Sequence, residues 1–252
     1  MKKGRIIRQL QYEVFLLPAI LAFTAFTVIP LLKTLLYSFT DFDGVLHTYN
    51  FVGLKNYYAV FRDDVMKQAL FNTLFYTFFS VLLINAISVP LAVLLDKNQR
   101  VKTLERAIFF FPSVVSALLL GYIWTYILSP LKTGALNSIL MNTFGLPKPI
   151  GFTSGGWIAK FSIIAVSVWA NTGWHTMVNI AYLQAIDSTY YEAASIDGAS
   201  KLDQFRFITI PLLAPAMTVN TLLLLTNGLK VYDLPYALTK GGPGYSNYTV
   251  TQ

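Results

Sequence analysis

Residues 70–95 read LFNTLFYTFFSVLLINAISVPLAVLL, a stretch without a single charged side chain. A helix needs about 20 predominantly apolar residues to cross the ~30 Å hydrocarbon core of a bilayer. This stretch is long enough for one such crossing, and a soluble protein would have to bury it on every side. It therefore predicts a membrane-spanning α-helix.

Four further apolar runs flank this stretch, and together the five runs predict an all-α transmembrane protein, a polytopic helical bundle with five spans. The other runs are 14–39, 108–128, 157–182 and 212–229. The composition agrees, because 55% of the residues are hydrophobic and only 12% are charged, against about 25% charged residues in soluble domains. The mean hydropathy of +0.54 is also that of a membrane protein.

Basic residues at the ends of the runs predict the orientation. They are Lys2, Lys3, Arg5 and Arg8 before the first run, and Lys97, Arg100, Lys102 and Arg106 between the second and third. Cytoplasmic connections carry such an excess, which predicts a cytoplasmic N-terminal segment, 1–13. Counting the spans from there predicts that the loop 187–211 is cytoplasmic too, although acidic residues outnumber basic ones in it. Lys33 and Lys160 are predicted to extend from their spans toward the membrane surface. The net charge of +7 is spread over run ends, which argues against a nucleic-acid partner.

The loop 187–211 has its own helical pattern. Glu192, Ile196 and Ala199 share one face of a helix predicted over 188–199, Ala193 and Ala194 keep its surface low, and Gly198 permits a turn. Ser200 and Asp203 have capping-box spacing for a second short helix, which is expected to stop at Pro211. From the pattern alone, a solvated connection with ordinary caps is the simpler interpretation.

Polar side chains in the last two spans are candidates for a substrate pathway. They are Asn171, Trp174, His175 and Asn179 in the fourth run, with Asn220 and Asn227 in the fifth. Lipid would leave such groups without hydrogen bonds, so they are expected to face other helices or a wet cavity. Amides and aromatic rings suit a sugar, but hydrogen bonding between helices explains each residue equally well.

Several motifs resemble a known family. Glu192-Ala193-Ala194, Gly198 and Ile208-Thr209-Ile210-Pro211-Leu212 resemble the EAA loop of permease subunits of bacterial ATP-binding-cassette importers. Further segments resemble the maltose-type or multiple-sugar branch: Gly53-Leu54-Lys55-Asn56-Tyr57, Asn72-Thr73, Phe111-Pro112 and Leu238-Thr239-Lys240-Gly241-Gly242-Pro243-Gly244. The resemblance covers essentially the whole chain and implies a permease subunit for sugars or sugar derivatives in the bacterial cell membrane.

The resemblance also implies partners and roles. It implies a second permease subunit, two nucleotide-binding ATPase subunits that hold ATP and magnesium, and a solute-binding protein outside, with lipid around the spans. Residues 14–252 would form a single permease domain working by alternating access, with a sixth span expected beyond Gln252. The implied ATPase-coupling residues are Glu192, Ala193, Ala194, Ile196, Asp197, Gly198 and Ala199. Lys230 and Asp233 are candidates for contact with the binding protein, although a local ion pair is the alternative.

Other functions find less support. The chain has no phosphate-binding glycine loop of the Gly-x-x-x-x-Gly-Lys-Ser/Thr type, so it is expected to bind no nucleotide and to be no enzyme. With no cysteine and only two histidines, no metal site is expected. A stand-alone secondary carrier for a polar solute would need coupling-ion ligands and internal repeats, and a membrane enzyme would need a catalytic constellation. Neither is found in the spans.

Overall fold

The computed structural model describes residues 14–45, 48–97 and 102–252. The predicted cytoplasmic segment 1–13 and the basic connection 98–101 lie outside the described residues. Within the described ranges the regular structure is helical apart from one isolated β-bridge between Thr40 and Phe51, which confirms the all-α prediction. The chain divides into two compact units, Met1–Asp64 and Val65–Gln252.

The first unit contains helix α1, Val14–Tyr37, and helix α2, Lys55–Arg62. Both are apolar on exposed faces, and no residue of α1 is buried within the structure. The loop between them is fastened by Asn56, whose Nδ2 donates to the carbonyl oxygens of Ser38 at 3.0 Å and Thr40 at 2.7 Å. Asn56 belongs to the motif at 53–57, so that motif holds the loop between α1 and α2.

The second unit is a set of helices whose buried apolar residues form one large and two smaller clusters. They are α3 (Asp64–Lys97), α4 (Lys102–Val114), α5 (Ala117–Ile127), α6 (Ala135–Phe144), α7 (Gly156–Leu183), α8 (Thr189–Ile196), α9 (Lys201–Gly228) and α10 (Asp233–Thr239). The largest cluster forms where α3, α7 and α9 meet, and it includes Ile84, Ile163, Val166 and Leu224.

In the part of the chain that the structure describes, three helices, α1, α3 and α9, are long and apolar enough to cross a membrane. The number rises to four if α4 and α5 form one bent span. Helix α7 matches the fourth predicted span in length but is not in this set, because polar side chains recur along it. The transmembrane character is confirmed, whereas the exact number of five or six spans stays a prediction.

The third predicted span is not one straight helix. Helix α4 ends at Val114, and α5 starts at Ala117 in a direction bent by 96°. The break lies where Pro112 cannot donate a backbone hydrogen bond and where Ser116, in an extended conformation, accepts a hydrogen bond from the Leu119 N–H. Ser116 is therefore an N-cap within the apolar run, and it starts a new helix there.

The second helix of the 187–211 loop was predicted to stop at Pro211, and that prediction is wrong. The helix continues to Gly228 as α9. A π-helical turn at Phe205–Thr209 precedes the proline, with the Ile210 N–H donating to the Phe205 carbonyl. Such a wider turn re-routes backbone hydrogen bonds around a residue that lacks an N–H. The start of α9 is as predicted, because Ser200 and Asp203 form a capping box.

Lys160 does not extend to the membrane surface, and that prediction is wrong. Its side chain is 5% exposed, and its Nζ donates to Asn72 Oδ1. The ammonium also lies 5.2 Å from the ring centroid of Phe71 and 5.5 Å from that of Trp157, within the range of cation–π attraction. The Asn72 oxygen and the two rings thus replace the water that would solvate the ammonium at the membrane surface.

Asn72 in turn fastens the segment that follows α10. Its Nδ2 donates to the carbonyl oxygens of Ser246 at 2.9 Å and Tyr248 at 2.8 Å. Nearby, the Tyr76 hydroxyl donates to Asn247 Oδ1 at 3.2 Å. The residues after the Gly-Gly-Pro motif are thus held by buried side chains of α3.

Two glycines let helices approach closely. A Cβ on Gly173 of α7 would lie 1.9 Å from the Phe109 carbonyl oxygen of α4, and a Cβ on Gly121 of α5 would lie 2.4 Å from the Ala237 Cβ of α10. Small residues at such crossings allow backbones to pack directly against each other in membranes. These contacts fix the positions of α4 and α5, the two helices on either side of the break in the third run.

Candidate functional site

An open cavity of about 340 Å³ lies beside the break between α4 and α5. Its wall is formed by α3, α7, the end of α9 and the residues that connect α9 to α10. Five of the predicted site residues line it together: Asn171, His175, Asn227, Lys230 and Asp233. The structure therefore brings most of the two predicted sets, pathway and binding-protein contact, to one concave surface.

Most of these five side chains are available to a solute. Asn171, Asn227, Lys230 and Asp233 are exposed, and no ion pair joins Lys230 to Asp233 within the described residues. Asn171 Nδ2 donates to the Ser167 carbonyl at 2.8 Å, which leaves its Oδ1 free to accept. The cavity thus offers amide, ammonium and carboxylate groups rather than a sealed polar cluster.

Asn179 and Asn220 occupy a different environment, because both are fully buried and neither lines the cavity. Asn220 Nδ2 donates to Asn179 Oδ1 at 3.0 Å, and Asn179 Nδ2 donates to Ser88 Oγ at 3.1 Å. His175 Nδ1 lies 2.9 Å from Asn220 Oδ1. This chain of hydrogen bonds joins α7, α9 and α3, so these amides hold the helices together beneath the cavity.

Trp174 is also outside the cavity lining. Its ring is 41% exposed and meets the His175 ring edge-on, with centroids 5.0 Å apart. Its backbone N–H donates to Ser113 Oγ at 3.1 Å, which ties α7 to the end of α4.

Several lining residues were not predicted. They are Tyr76 and Ser80 of α3, Ser113 of α4 and Ser167 of α7. Ser167 lies four residues before Asn171 and eight before His175, so the helical period could have indicated it. The others come from elements whose rotation toward the cavity depends on tertiary packing.

The predicted coupling residues lie on and after α8. The helix covers Thr189–Ile196 and ends in a turn in which Gly198 has φ +80°. The Ala199 N–H donates to the Ala194 carbonyl at 2.9 Å, and the Gly198 N–H donates to the Ser195 carbonyl at 3.2 Å. This is a Schellman motif, which requires the left-handed conformation that glycine adopts at no steric cost. Ala199 therefore lies beyond the helix rather than on its face.

Most of α8 is exposed. Glu192, Ala193 and Asp197 are exposed, and the Ile196 side chain is 87% exposed. At the start of the helix, hydrogen bonds from the Thr189 hydroxyl and then the Thr189 N–H lower the pKa of Asp187. The exposed face of α8 is thus apolar at Ile196 and small or acidic at Ala193, Glu192 and Asp197.

The other face of α8 is fastened to the start of α9. Tyr191 Oη lies 3.1 Å from Thr209 Oγ1, and Gln204 Nε2 donates to Ser195 Oγ at 2.8 Å. Ser195 Oγ donates to the Tyr191 carbonyl at 2.7 Å. Since Thr209 belongs to the π-helical turn, α8 is attached directly to a membrane-spanning helix.

Comparison with known proteins decides the family. Residues 84–252 match the family described as the inner membrane component of binding-protein-dependent transport systems. The chain belongs to this family. It is a membrane protein and a permease subunit of a binding-protein-dependent ATP-binding-cassette importer, and the alternative of a stand-alone carrier is set aside.

Individual relatives agree over nearly the full length. The permease is 29% identical to the probable starch degradation products transport system permease protein of Thermoanaerobacterium thermosulfurigenes, a match over 99% of this chain and 84% of the relative. It is 31% identical to the trehalose/maltose transport system permease protein of Thermococcus litoralis, over 94% of this chain and 79% of the relative.

The fold also matches a solved structure. A chain of a bacterial ATP-binding-cassette transporter that imports the acidic polysaccharide alginate superposes with a TM-score of 0.83 at 20% identity. The match covers 98% of this chain and 84% of that chain. The fold of the permease is therefore that of an importer permease.

Proposed function

We propose that the permease carries sugars or sugar derivatives through the cavity described above. The observation that carries this proposal is the lining: amide groups of Asn171 and Asn227, the ring of Tyr232 and serine hydroxyls converge on one open space. A sugar needs paired donors and acceptors for its hydroxyls and an apolar surface for its C–H face. The two relatives are named for starch degradation products and for trehalose and maltose.

The proposal includes the assembly and its orientation. Residues 14–252 act as a single permease domain whose N-terminus and 187–211 loop face the cytoplasm. A second permease subunit completes the pathway, two ATPase subunits hold ATP and magnesium, and a solute-binding protein delivers cargo to the side on which Lys230 and Asp233 lie. Catalysis of ATP hydrolysis belongs to those ATPase subunits.

Coupling is assigned to α8 and the turn that follows it. The exposed side chains of Glu192 and Ile196, together with Ala193, form the surface that we propose docks on an ATPase subunit. Ala194, Asp197, Gly198 and Ala199 shape the end of that surface. Because α8 is bonded to the start of α9 through Tyr191, Ser195 and Gln204, a displacement of α8 would move α9 as well.

The turn at Gly198 offers the first prediction. Gly198→Ala should weaken ATPase association and uptake several-fold, because a Cβ at φ +80° costs about 1–2 kcal/mol. Gly198→Asn is the matched control, since asparagine tolerates this conformation, and it should retain most of the coupling. Co-purification of the ATPase and cargo-stimulated ATP hydrolysis measure both variants. Equal behaviour of the two variants would exclude a role for the turn conformation.

The two environments of the asparagines give a second prediction. Asn227→Leu and Asn171→Leu should reduce transport about tenfold or more while the complex still assembles, because both residues line the open cavity. Asn220→Leu should instead reduce the yield of assembled complex, because it removes three buried hydrogen bonds, each worth about 1 kcal/mol. Size-exclusion chromatography and proteoliposome uptake separate the two effects. Loss of assembly in Asn227→Leu would contradict the pathway assignment.

The proposed assembly is tested by purification from native membranes. A tagged permease should bring down a second permease and an ATPase in fixed stoichiometry, identified by mass spectrometry, and the complex should take up maltose or trehalose in the presence of its binding protein. Recovery of the chain alone or as a homo-oligomer would contradict the proposed partners.

A further inference from the structure

His175 lies at the boundary between the cavity and the buried hydrogen-bond chain. Its side chain is 4% exposed, and it lines the cavity. Nδ1 lies 2.9 Å from Oδ1 of Asn220, a buried residue that does not line the cavity. Only the other ring nitrogen, Nε2, is left to face the open space.

The amide network decides which ring nitrogen holds the proton. Asn220 Nδ2 uses its two hydrogens on Asn179 Oδ1 at 3.0 Å and on the His175 carbonyl at 3.4 Å. Asn220 Oδ1 is therefore an acceptor toward the ring, and an acceptor there requires a proton on Nδ1. A neutral imidazole with Nδ1–H has an unprotonated Nε2.

Nε2 is accessible rather than sealed. Across the described residues, three buried side-chain polar atoms have no partner, namely Asn85 Oδ1, Arg106 Nε and Gln252 Nε2. His175 Nε2 is not among them, and it forms no hydrogen bond with the described chain, so the nitrogen opens into the cavity that the ring lines. A lone pair on a rigidly held ring is thus presented to whatever fills this space.

We infer that His175 is a specificity-determining residue whose Nε2 accepts a hydrogen bond from a hydroxyl of the cargo. The inference rests on the proposed function and narrows it, because the site then favours a cargo that donates O–H at this point. The buried chain Ser88–Asn179–Asn220 has a second role here, since it fixes the tautomer. A site that holds one partner of such a bond discriminates against an analogue that lacks the other.

The tautomer can be measured without any cargo. Nitrogen NMR of the permease complex in nanodiscs, with ¹⁵N-labelled histidine, should show a protonated Nδ1 and an unprotonated Nε2 for His175 at neutral pH. The chain has two histidines, so His47→Gln assigns the signals. A ring protonated on Nε2 in the native complex would overturn the inference.

Transport by two variants tests the contact itself. His175→Asn keeps an amide donor near the position of Nδ1 and removes Nε2, whereas His175→Gln places an amide oxygen near the position of Nε2. We expect maltose uptake to fall roughly 3- to 10-fold in His175→Asn, as for the loss of one neutral hydrogen bond, and to be partly retained in His175→Gln. An equal loss in both variants, or no loss in His175→Asn, would overturn the contact.

Monodeoxy maltoses identify the hydroxyl. One analogue should be transported more slowly than maltose by the native complex yet equally well by His175→Asn, because the variant has no acceptor to leave unpaired. If the native complex moves neither maltose nor trehalose, these two sugars are excluded as its cargo and the hydroxyl contact fails for them. The NMR result is independent of cargo, so it still decides the tautomer in that case.

Discussion

Replacing Asn72 with leucine should destabilise the permease more than any other single change considered. Asn72 is fully buried, and its Oδ1 accepts from Gln68 Nε2 at 3.0 Å and from Lys160 Nζ. Leucine would leave the Lys160 ammonium and the carbonyls of Ser246 and Tyr248 without this partner. Each neutral group costs about 1–3 kcal/mol and a charged one more, so we expect a loss of about 4 kcal/mol or more. Thermal unfolding in detergent measures it.

A double variant makes this expectation specific. Lys160→Met removes the buried charge, so Asn72→Leu with Lys160→Met should be more stable than Asn72→Leu alone. Gln68→Leu is the matched control, because it removes one donor to the same oxygen and leaves the ammonium paired. If the second substitution added to the damage, the Lys160–Asn72 contact would not be the origin of the effect.

Replacing Gly173 with alanine should lower both the stability of the permease and its transport. In an ordinary helix this change is favourable by about 1 kcal/mol. Here the new Cβ would lie 1.9 Å from the Phe109 carbonyl oxygen and 2.9 Å from the Phe110 Cα, both of them backbone atoms. Helix α4 must move away, so we expect a loss of about 1–3 kcal/mol and a further fall in transport, since Pro112 and Ser113 of α4 line the cavity.

Ser162→Ala serves as the control for Gly173→Ala. It lies on the same helix, its hydroxyl donates only to the Ile158 carbonyl at 2.9 Å, and it should be nearly neutral. Thermal unfolding measures the stability of both variants, and proteoliposome uptake measures their transport. A Gly173→Ala protein as stable and active as the native one would mean that α4 and α7 are not held at this distance.

The membrane-spanning character and the helical loop were predictable because hydropathy and capping residues are local properties. The break in the third run was not, since Pro112 and Ser116 are common in continuous transmembrane helices and the 96° bend depends on what α5 packs against. At Pro211 the error was the reverse, because the sequence predicted a helix end where the structure has a continuous helix. A π-helical turn accommodates the proline, and no local pattern distinguishes that outcome from a helix end.

The sequence predicted which polar residues belong to the candidate site. It did not predict which of them face the cavity and which are buried between helices. Asn171, His175 and Asn179 share one helical row, yet the row passes from the open cavity into the buried chain with Asn220. Which member meets solute depends on the depth at which α9 crosses α7. Lys160 shows the same limit, because its acceptor lies 88 residues earlier in the sequence.

The fastening of Ser246 and Tyr248 by Asn72 sets the order in which the chain can mature. Asn72 is separated from these two carbonyls by 174 and 176 positions. Its amide hydrogens can therefore bond to them only after the intervening helices have been synthesised. Closing a loop of this length comes late in folding, since its entropy is lost before the contacts form. Until then Lys160 of α7 can already donate to Asn72 Oδ1 of α3, but both hydrogens of the Asn72 amide lack their acceptors. The final segment is therefore the last part of this polar cluster to be secured.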